Sequence, residues 1–167
     1  IRNFHPHRHR GLLAGYPHGQ VGWQSLYKLK QAGKLNAVQS AYWTIPQPVE
    51  ELYHTANDPW EVNNLANDPK HQKRLAKMRN GLLSKMREIG DTGLVPESMY
   101  EGISTNSTVY DYVHSSDFPY EEVLQTALAA GDGSDRVHQK LQAAMKHDHP
   151  VMRYWGALGC TIQGEAA

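Results

Sequence analysis

Imidazole and guanidinium side chains alternate near the start of the chain, in the run His5-Pro-His-Arg-His-Arg10. Alternating imidazoles can bind Zn²⁺, Cu²⁺ or Ni²⁺ if a loop folds them inward. With Arg8 and Arg10 they can instead line a pocket for an anion, because a guanidinium pairs with an oxyanion through two parallel hydrogen bonds. The interpretation favoured by the residue types alone is a solvated loop that follows a short strand.

Three other patterns have simpler structural explanations. Cys160 is the single cysteine and lies in an apolar helical pattern, which predicts a small core residue and excludes an internal disulfide. A basic face on the predicted helix 69–89 indicates a solvated surface, because the net charge is zero. Aromatic residues at helical spacing are more often core than a sugar-stacking platform. These aromatic residues are Trp23, Tyr27, Tyr42, Trp43 and Trp60.

Composition excludes two classes of partner. The chain of 167 residues has 17 Lys and Arg against 17 Asp and Glu, so no global field recruits nucleic acid or an anionic membrane. It has no run of about 18 apolar residues that would predict a membrane-spanning helix. Because the sequence opens at Ile1, inside a predicted strand, we expect an excised piece of a longer protein.

The first half is predicted to combine short strands with helices. Residues 1–4 and 49–55 are predicted strands, since Leu52 and Tyr53 alternate between two faces. Residues 21–34 and 35–43 are predicted helices.

Two Asn-Asp-Pro runs predict where further helical segments begin. Asp58 and Asp68 are placed to cap, and each is followed by a proline whose missing N–H costs nothing in a first turn. The second run opens the long helix 69–89, which ends at Gly90. One apolar stripe along this helix is predicted to pack. Its members are Leu75, Met78, Leu82, Met86 and Ile89.

Residues 101–117 are rich in small and polar residues, so we predict a linker there. Predicted helices follow at 118–130, 134–147 and 148–159. The prolines at two of the helix starts, Pro119 and Pro150, lie about 31 residues apart, which is the scale of an αα repeat.

The most specific pattern lies in residues 49–69. It consists of Glu51, Leu52, Tyr53, Asp58, Pro59, Glu61, Asn64, Leu65 and Ala66. This spacing resembles the signature near the end of bacterial sulfatases of the N-sulphoglucosamine sulphohydrolase and arylsulfatase type. Residues 1–4 and 91–97 resemble parts of the same tail, and residues 118–160 resemble HEAT-like helical repeats.

The resemblance implies a mostly helical α+β fold. Residues 1–100 would form the carboxyl-terminal subdomain of a sulfatase, a small antiparallel strand pair with one long helix. Residues 101–117 would be a linker, and residues 118–167 the start of a HEAT-like repeat.

The resemblance also implies that the chemistry lies elsewhere. The family's nucleophile is a formylglycine made from a Cys/Ser-x-Pro-Ser-Arg motif, and its calcium is held by paired Asp and Asn residues of an α/β domain. Neither motif occurs here. We therefore expect no catalytic residue and no metal ligand in this chain, which alone would be inactive. We expect His5, His7 and Arg8 at the rim of the substrate cleft in the parent.

The expected parent hydrolyses sulfate esters or sulfamates on sulfated carbohydrates and is periplasmic or extracellular. Its expected partners are the missing amino-terminal α/β catalytic domain and further helical repeats, with no nucleic acid and no membrane. The alternative is a non-enzymatic helical-repeat scaffold that binds a protein through residues 118–160.

Overall fold

Helices provide the regular secondary structure of the chain. The computed structural model describes residues 1–11, 19–132 and 134–164. The α-helices are α1 (Val21–Gln31), α2 (Ala37–Ser40), α3 (Gln72–Ile89), α4 (Tyr100–Ser104), α5 (Val109–Val113), α6 (Tyr120–Asp132), α7 (His138–Ala144) and α8 (Pro150–Ile162). Short 3₁₀ turns cover Ala41–Trp43, Pro69–His71, Thr92–Leu94, Glu97–Met99 and Asp135–Val137. Residues 12–18 of the predicted histidine-rich loop lie outside the described residues.

The predicted antiparallel strand pair is wrong. In the described residues, the pairing of segments 1–4 and 49–55 is limited to a single antiparallel bridge between Arg2 and Glu50. The reason lies in Asn64, whose Oδ1 accepts the backbone N–H of Leu52 at 3.0 Å. The carbonyl of Leu52 accepts the N–H of Leu65 at 2.8 Å. A side-chain amide and a loop thus take the bonds that a neighbouring strand would need.

The helix start predicted at Asp68-Pro69 is confirmed, whereas Asp58-Pro59 opens only a turn. The Asp68 side chain accepts the N–H of Lys70 at 2.8 Å, with Pro69 at the first position of the turn that leads into α3. Asn36 and Gln39 form a reciprocal capping box at the start of α2. At the other end of α3, Gly90 has a φ of 55°, the left-handed conformation that glycine adopts without a steric penalty.

The apolar stripe of α3 packs only in part. Leu75 is buried with Leu52 and Ala66, and Met86 is buried in the main core. Met78, Leu82 and Ile89, in contrast, are 55%, 41% and 47% exposed. The three- and four-residue spacing therefore predicted the helix correctly. It did not show which residues of the stripe pack against other parts of the chain.

The main core lies between α6, α7 and α8. Trp155 of α8 is 2% exposed, and its indole N–H donates to the carbonyl of Leu94 at 2.8 Å. Its ring also meets Phe4, with centroids 6.0 Å apart. Cys160 is buried in the same cluster, which confirms it as a small core residue.

The predicted linker contains α4 and α5, and Val113 of α5 is buried in the main core beside Phe118. The division into residues 1–100, 101–117 and 118–167 stays a prediction, as does the likeness of residues 118–160 to HEAT-like repeats. No helix within the described ranges combines the length and the apolar character needed to cross a membrane.

Close backbone contact between α7 and α8 predicts a strong effect of Gly156→Ala. A Cβ at this position would lie 2.7 Å from the Met145 nitrogen and 2.8 Å from the Leu141 oxygen, and neither backbone atom can move freely. We expect a loss of about 1–3 kcal/mol in the free energy of unfolding, measured by urea denaturation.

Gly81→Ala is the matched control for that substitution. Gly81 lies within α3, and a Cβ there meets nothing within 4 Å. Alanine should therefore raise the free energy of unfolding by about 0.5–1 kcal/mol through helix propensity. Equal effects of the two substitutions would contradict the close packing of α7 on α8.

Candidate functional site

The histidine-rich segment is held in a defined turn. Asn3 Oδ1 accepts the N–H of His5 at 2.9 Å, and the carbonyl of His5 accepts the N–H of Arg8 at 3.1 Å. The carbonyl of Pro6 accepts the N–H of Gln47 at 2.7 Å. These bonds fix the segment against residues 47–51, so it is more than a solvated loop.

The imidazoles of this segment face different neighbours. His5 lies against Trp155 with ring centroids 5.5 Å apart, and His9 lies against Trp43 at 5.2 Å. His5 and His7 are 5.9 Å apart by centroid. Across residues 1–11, 19–132 and 134–164, no three His, Cys, Asp or Glu side chains are grouped so that they could hold a metal ion.

A cavity of about 530 Å³ opens beside this turn, and we call it the cationic pocket. Its lining consists of Ile1, Arg2, Asn3, His5, Arg8, His9, Arg10 and Gln47. Two of the three predicted rim residues, His5 and Arg8, line it, whereas His7 does not. Arg2 also lines the pocket, although the sequence predicted it only as part of a strand. No pattern in the sequence links Arg2 to the later histidines.

The arginines of the pocket differ in their pairing. Arg10 forms an ion pair with Glu51, and Arg2 Nη1 lies 3.9 Å from Glu50 Oε1. The guanidinium of Arg8 has no carboxylate or other hydrogen-bond partner among the residues that the structure describes. Arg8 is also exposed, so it is the arginine of the pocket that is free to bind an anion.

The two carboxylates behind the pocket are strongly held. Arg79 Nε donates to Glu50 Oε1 at 2.6 Å, and this bond holds the pKa of Glu50 below its usual range. Glu51 is 2% exposed and accepts the Tyr53 hydroxyl at 3.1 Å in addition to Arg10. A buried carboxylate of this kind requires such partners, because an unpaired charge costs several kcal/mol in a low dielectric.

Burial lowers the pKa of His5 and of His7 below 6.5, and the charge of Arg8 lowers both further. Both rings are therefore mainly neutral at pH 7, where each can still donate one N–H. Because the folded protein binds these protons more weakly than the unfolded chain does, the two histidines reduce stability as the pH falls below about 6.5.

We expect the imidazole resonances of His5 and His7 to titrate below pH 6.5 in a two-dimensional NMR experiment. Arg8→Gln removes the nearby charge and should raise both pKa values, but not to the ordinary value, because burial is the larger cause. Arg136→Gln, at an exposed arginine in another part of the fold, should leave both unchanged. A His7 that titrates at or above its ordinary pKa would contradict this environment.

Comparison with known proteins relates the chain to a sulfatase. No family model matches the chain, and no solved structure matches it. It is 34% identical over 116 residues to an ulvan-active sulfatase of Formosa agariphila, and the alignment takes in 66% of this chain and 20% of that protein. The chain therefore spans about a fifth of the length of the relative that it matches.

Proposed function

We propose that the chain is the carboxyl-terminal part of a sulfatase, where it braces a separate catalytic domain and presents the cationic pocket to an anionic substrate. The observation that carries the proposal is Arg8, a free guanidinium in a defined pocket of a chain related to a sulfatase. The position at the carboxyl-terminal end follows from the resemblance of residues 49–69.

The pocket residues would bind the substrate and would not react with it. Arg8 can donate two parallel N–H bonds to the oxygens of a sulfate group, and neutral His5 can donate one more. Arg2 and Arg10 add positive potential, which Glu50 and Glu51 reduce. Their contribution would be to orient the substrate and to select for negative charge.

The residues of this chain do not fit the cofactors of the family. The sequence has no Cys/Ser-x-Pro-Ser-Arg motif to yield formylglycine, and the described residues contain no cluster of carboxylates for calcium. We assign both groups to the remainder of a longer polypeptide and derive no step of the reaction through them.

The substrate class that we propose is a sulfated carbohydrate. The related protein is named for its activity on ulvan, and we extend this class of polysaccharide to the present chain. An anionic polymer fits a pocket in which Arg8 is free and in which Arg2 and Arg10 keep part of their charge.

The alternative of a helical scaffold stays a prediction. Val123, Leu141 and Val151 of α6, α7 and α8 are buried against one another, and Trp155 packs on Phe4 and Leu94. The large apolar residues with high exposure in the described ranges all precede α6. A protein partner for residues 118–160 would therefore have to bind a mainly polar surface.

We expect Arg8→Ala, made in the longer polypeptide that carries this chain, to raise the KM for a sulfated oligosaccharide about tenfold with little change in kcat. The lost charge-assisted hydrogen bonds act on binding rather than on the reacting bond. The purified 167-residue chain should show no turnover of the same substrate.

The control is Arg136→Ala, which removes the same charge from an exposed position outside the pocket. Equal KM values for Arg8→Ala and the wild type would contradict the proposal that the cationic pocket binds the substrate. Turnover by the isolated chain, or an upstream coding sequence without a Cys/Ser-x-Pro-Ser-Arg motif, would overturn the assignment to a sulfatase.

A further inference from the structure

We propose that the cationic pocket is one end of a longer groove, whose other end binds the sugar rings of a sulfated oligosaccharide on Trp60 and Tyr42. The inference takes its substrate class from the proposed function. It adds a second subsite, made of residues that the sulfate group itself does not reach.

A second cavity, of about 460 Å³, adjoins the cationic pocket. We call it the aromatic cleft and define it by Tyr42, Tyr53, Trp60 and Val62, with Arg10 and Gln47 at its boundary. Arg10 and Gln47 also line the cationic pocket, so the two cavities share a wall. Each volume lies in the range of about 300–1,000 Å³ that is usual for small-ligand sites.

Trp60 is the most exposed large apolar residue described, at 86%. Its turn is nevertheless rigid, because the Asp58 carboxylate accepts the N–H groups of Val62 at 3.1 Å and Asn63 at 2.8 Å. The N–H of Glu61 donates to the carbonyl of Asp58 at 3.1 Å. The backbone that carries the indole is therefore ordered before a ligand arrives, which lowers the entropy cost of binding at this position.

Glu61, the residue after Trp60, has a φ of 52°. This left-handed conformation is unfavourable for a residue with a Cβ, by about 1 kcal/mol or more. The folded chain nevertheless keeps Glu61 in this conformation, in the turn that carries Trp60. Backbone strain of this kind concentrates at binding sites, which supports a ligand for Trp60.

The remaining lining suits a sugar. Tyr42 is 45% exposed, so a second aromatic ring is available to the C–H face of a pyranose. Arg10, Asn64 and Glu51 bring polar groups to the same cleft, where hydroxyl groups could reach them. A site with apolar walls and a few polar groups is the usual form of a small-ligand site.

A protein surface is the less favoured occupant. The exposed apolar residues of α3, Met78, Leu82 and Ile89, do not line this cleft, so its apolar walls are not part of one continuous docking face with them. The adjoining pocket carries the free Arg8. Its positive charge complements a sulfated ligand but makes no favourable electrostatic contact with an apolar protein surface.

The test measures binding by calorimetry to the purified chain with three probes: sulfated ulvan oligosaccharides, the same oligosaccharides after desulfation, and inorganic sulfate. We expect Trp60→Ala to lower the affinity for the sulfated oligosaccharide about tenfold and to leave the affinity for inorganic sulfate unchanged. Trp60→Phe should retain most of the affinity. Arg8→Ala should weaken the binding of both the sulfated oligosaccharide and inorganic sulfate. The wild type should bind the desulfated oligosaccharide more weakly than the sulfated one.

Tyr110→Ala is the matched control, since Tyr110 is 61% exposed and lies outside both cavities. Oligosaccharide affinity that is equal in Trp60→Ala and the wild type, with Arg8→Ala still impaired, would overturn the groove but not the pocket. Loss of sulfate binding in Trp60→Ala would overturn a separate sugar subsite. Absence of binding to any sulfated probe by the wild type would overturn both proposals.

Discussion

Two adjacent carboxylates connect the separate parts of this fold. Glu50 reaches Arg79 of α3 and Arg2 near the amino terminus, whereas Glu51 reaches Arg10 and Tyr53 on the side of the pocket. Arg2 in turn donates to the carbonyl of Leu128 in α6 at 3.2 Å. Removal of one partner would leave the other charge poorly solvated, so these pairs specify the arrangement even where they add little net stability.

The same pairs determine what the pocket can do. Because Arg2 and Arg10 are committed to carboxylates, the pocket keeps a modest net charge, and Arg8 supplies its free guanidinium. The lowered pKa of His5 leaves its ring mainly neutral at pH 7, so in the proposed site it would contribute a hydrogen bond and no charge.

Sequence patterns predicted local structure better than long-range contacts. The Asp68-Pro69 start and the Gly90 end of α3 depend on neighbours within a few residues, and both are present. The strand at 49–55 was predicted from alternation, but the backbone N–H of Leu52 donates to Asn64, a side chain that periodicity cannot assign. In the same way, His5, His7 and Arg8 were predicted at the cleft rim. Arg2, which is held by contacts with Glu50 and Leu128, lies beside His5 and Arg8 in the pocket without any sequence pattern to predict it.

The aromatic residues show the same limit. Spacing indicated a core for all of them, and it could not distinguish Trp23 and Trp43, which stack on each other at 5.9 Å, from Trp60, which is exposed. Trp60 lies in the turn that the Asp58 carboxylate closes, outside any helix, and its side chain is left 86% exposed. Exposure of an aromatic ring depends on the geometry of its turn, and helical periodicity carries no information about that geometry.

Trp155 has a consequence for how the protein is made. The ring that supports Phe4 and His5 belongs to α8, the last helix of the described residues, so the turn at residues 3–8 lacks this contact until α8 has left the ribosome. Synthesis proceeds at about 5–20 residues per second, and the first residues must therefore wait for roughly ten seconds or more. During that time the histidine-rich segment is held by its bonds to residues 47–51 alone, and a product that stops before Trp155 would leave Phe4 and His5 without their ring contact.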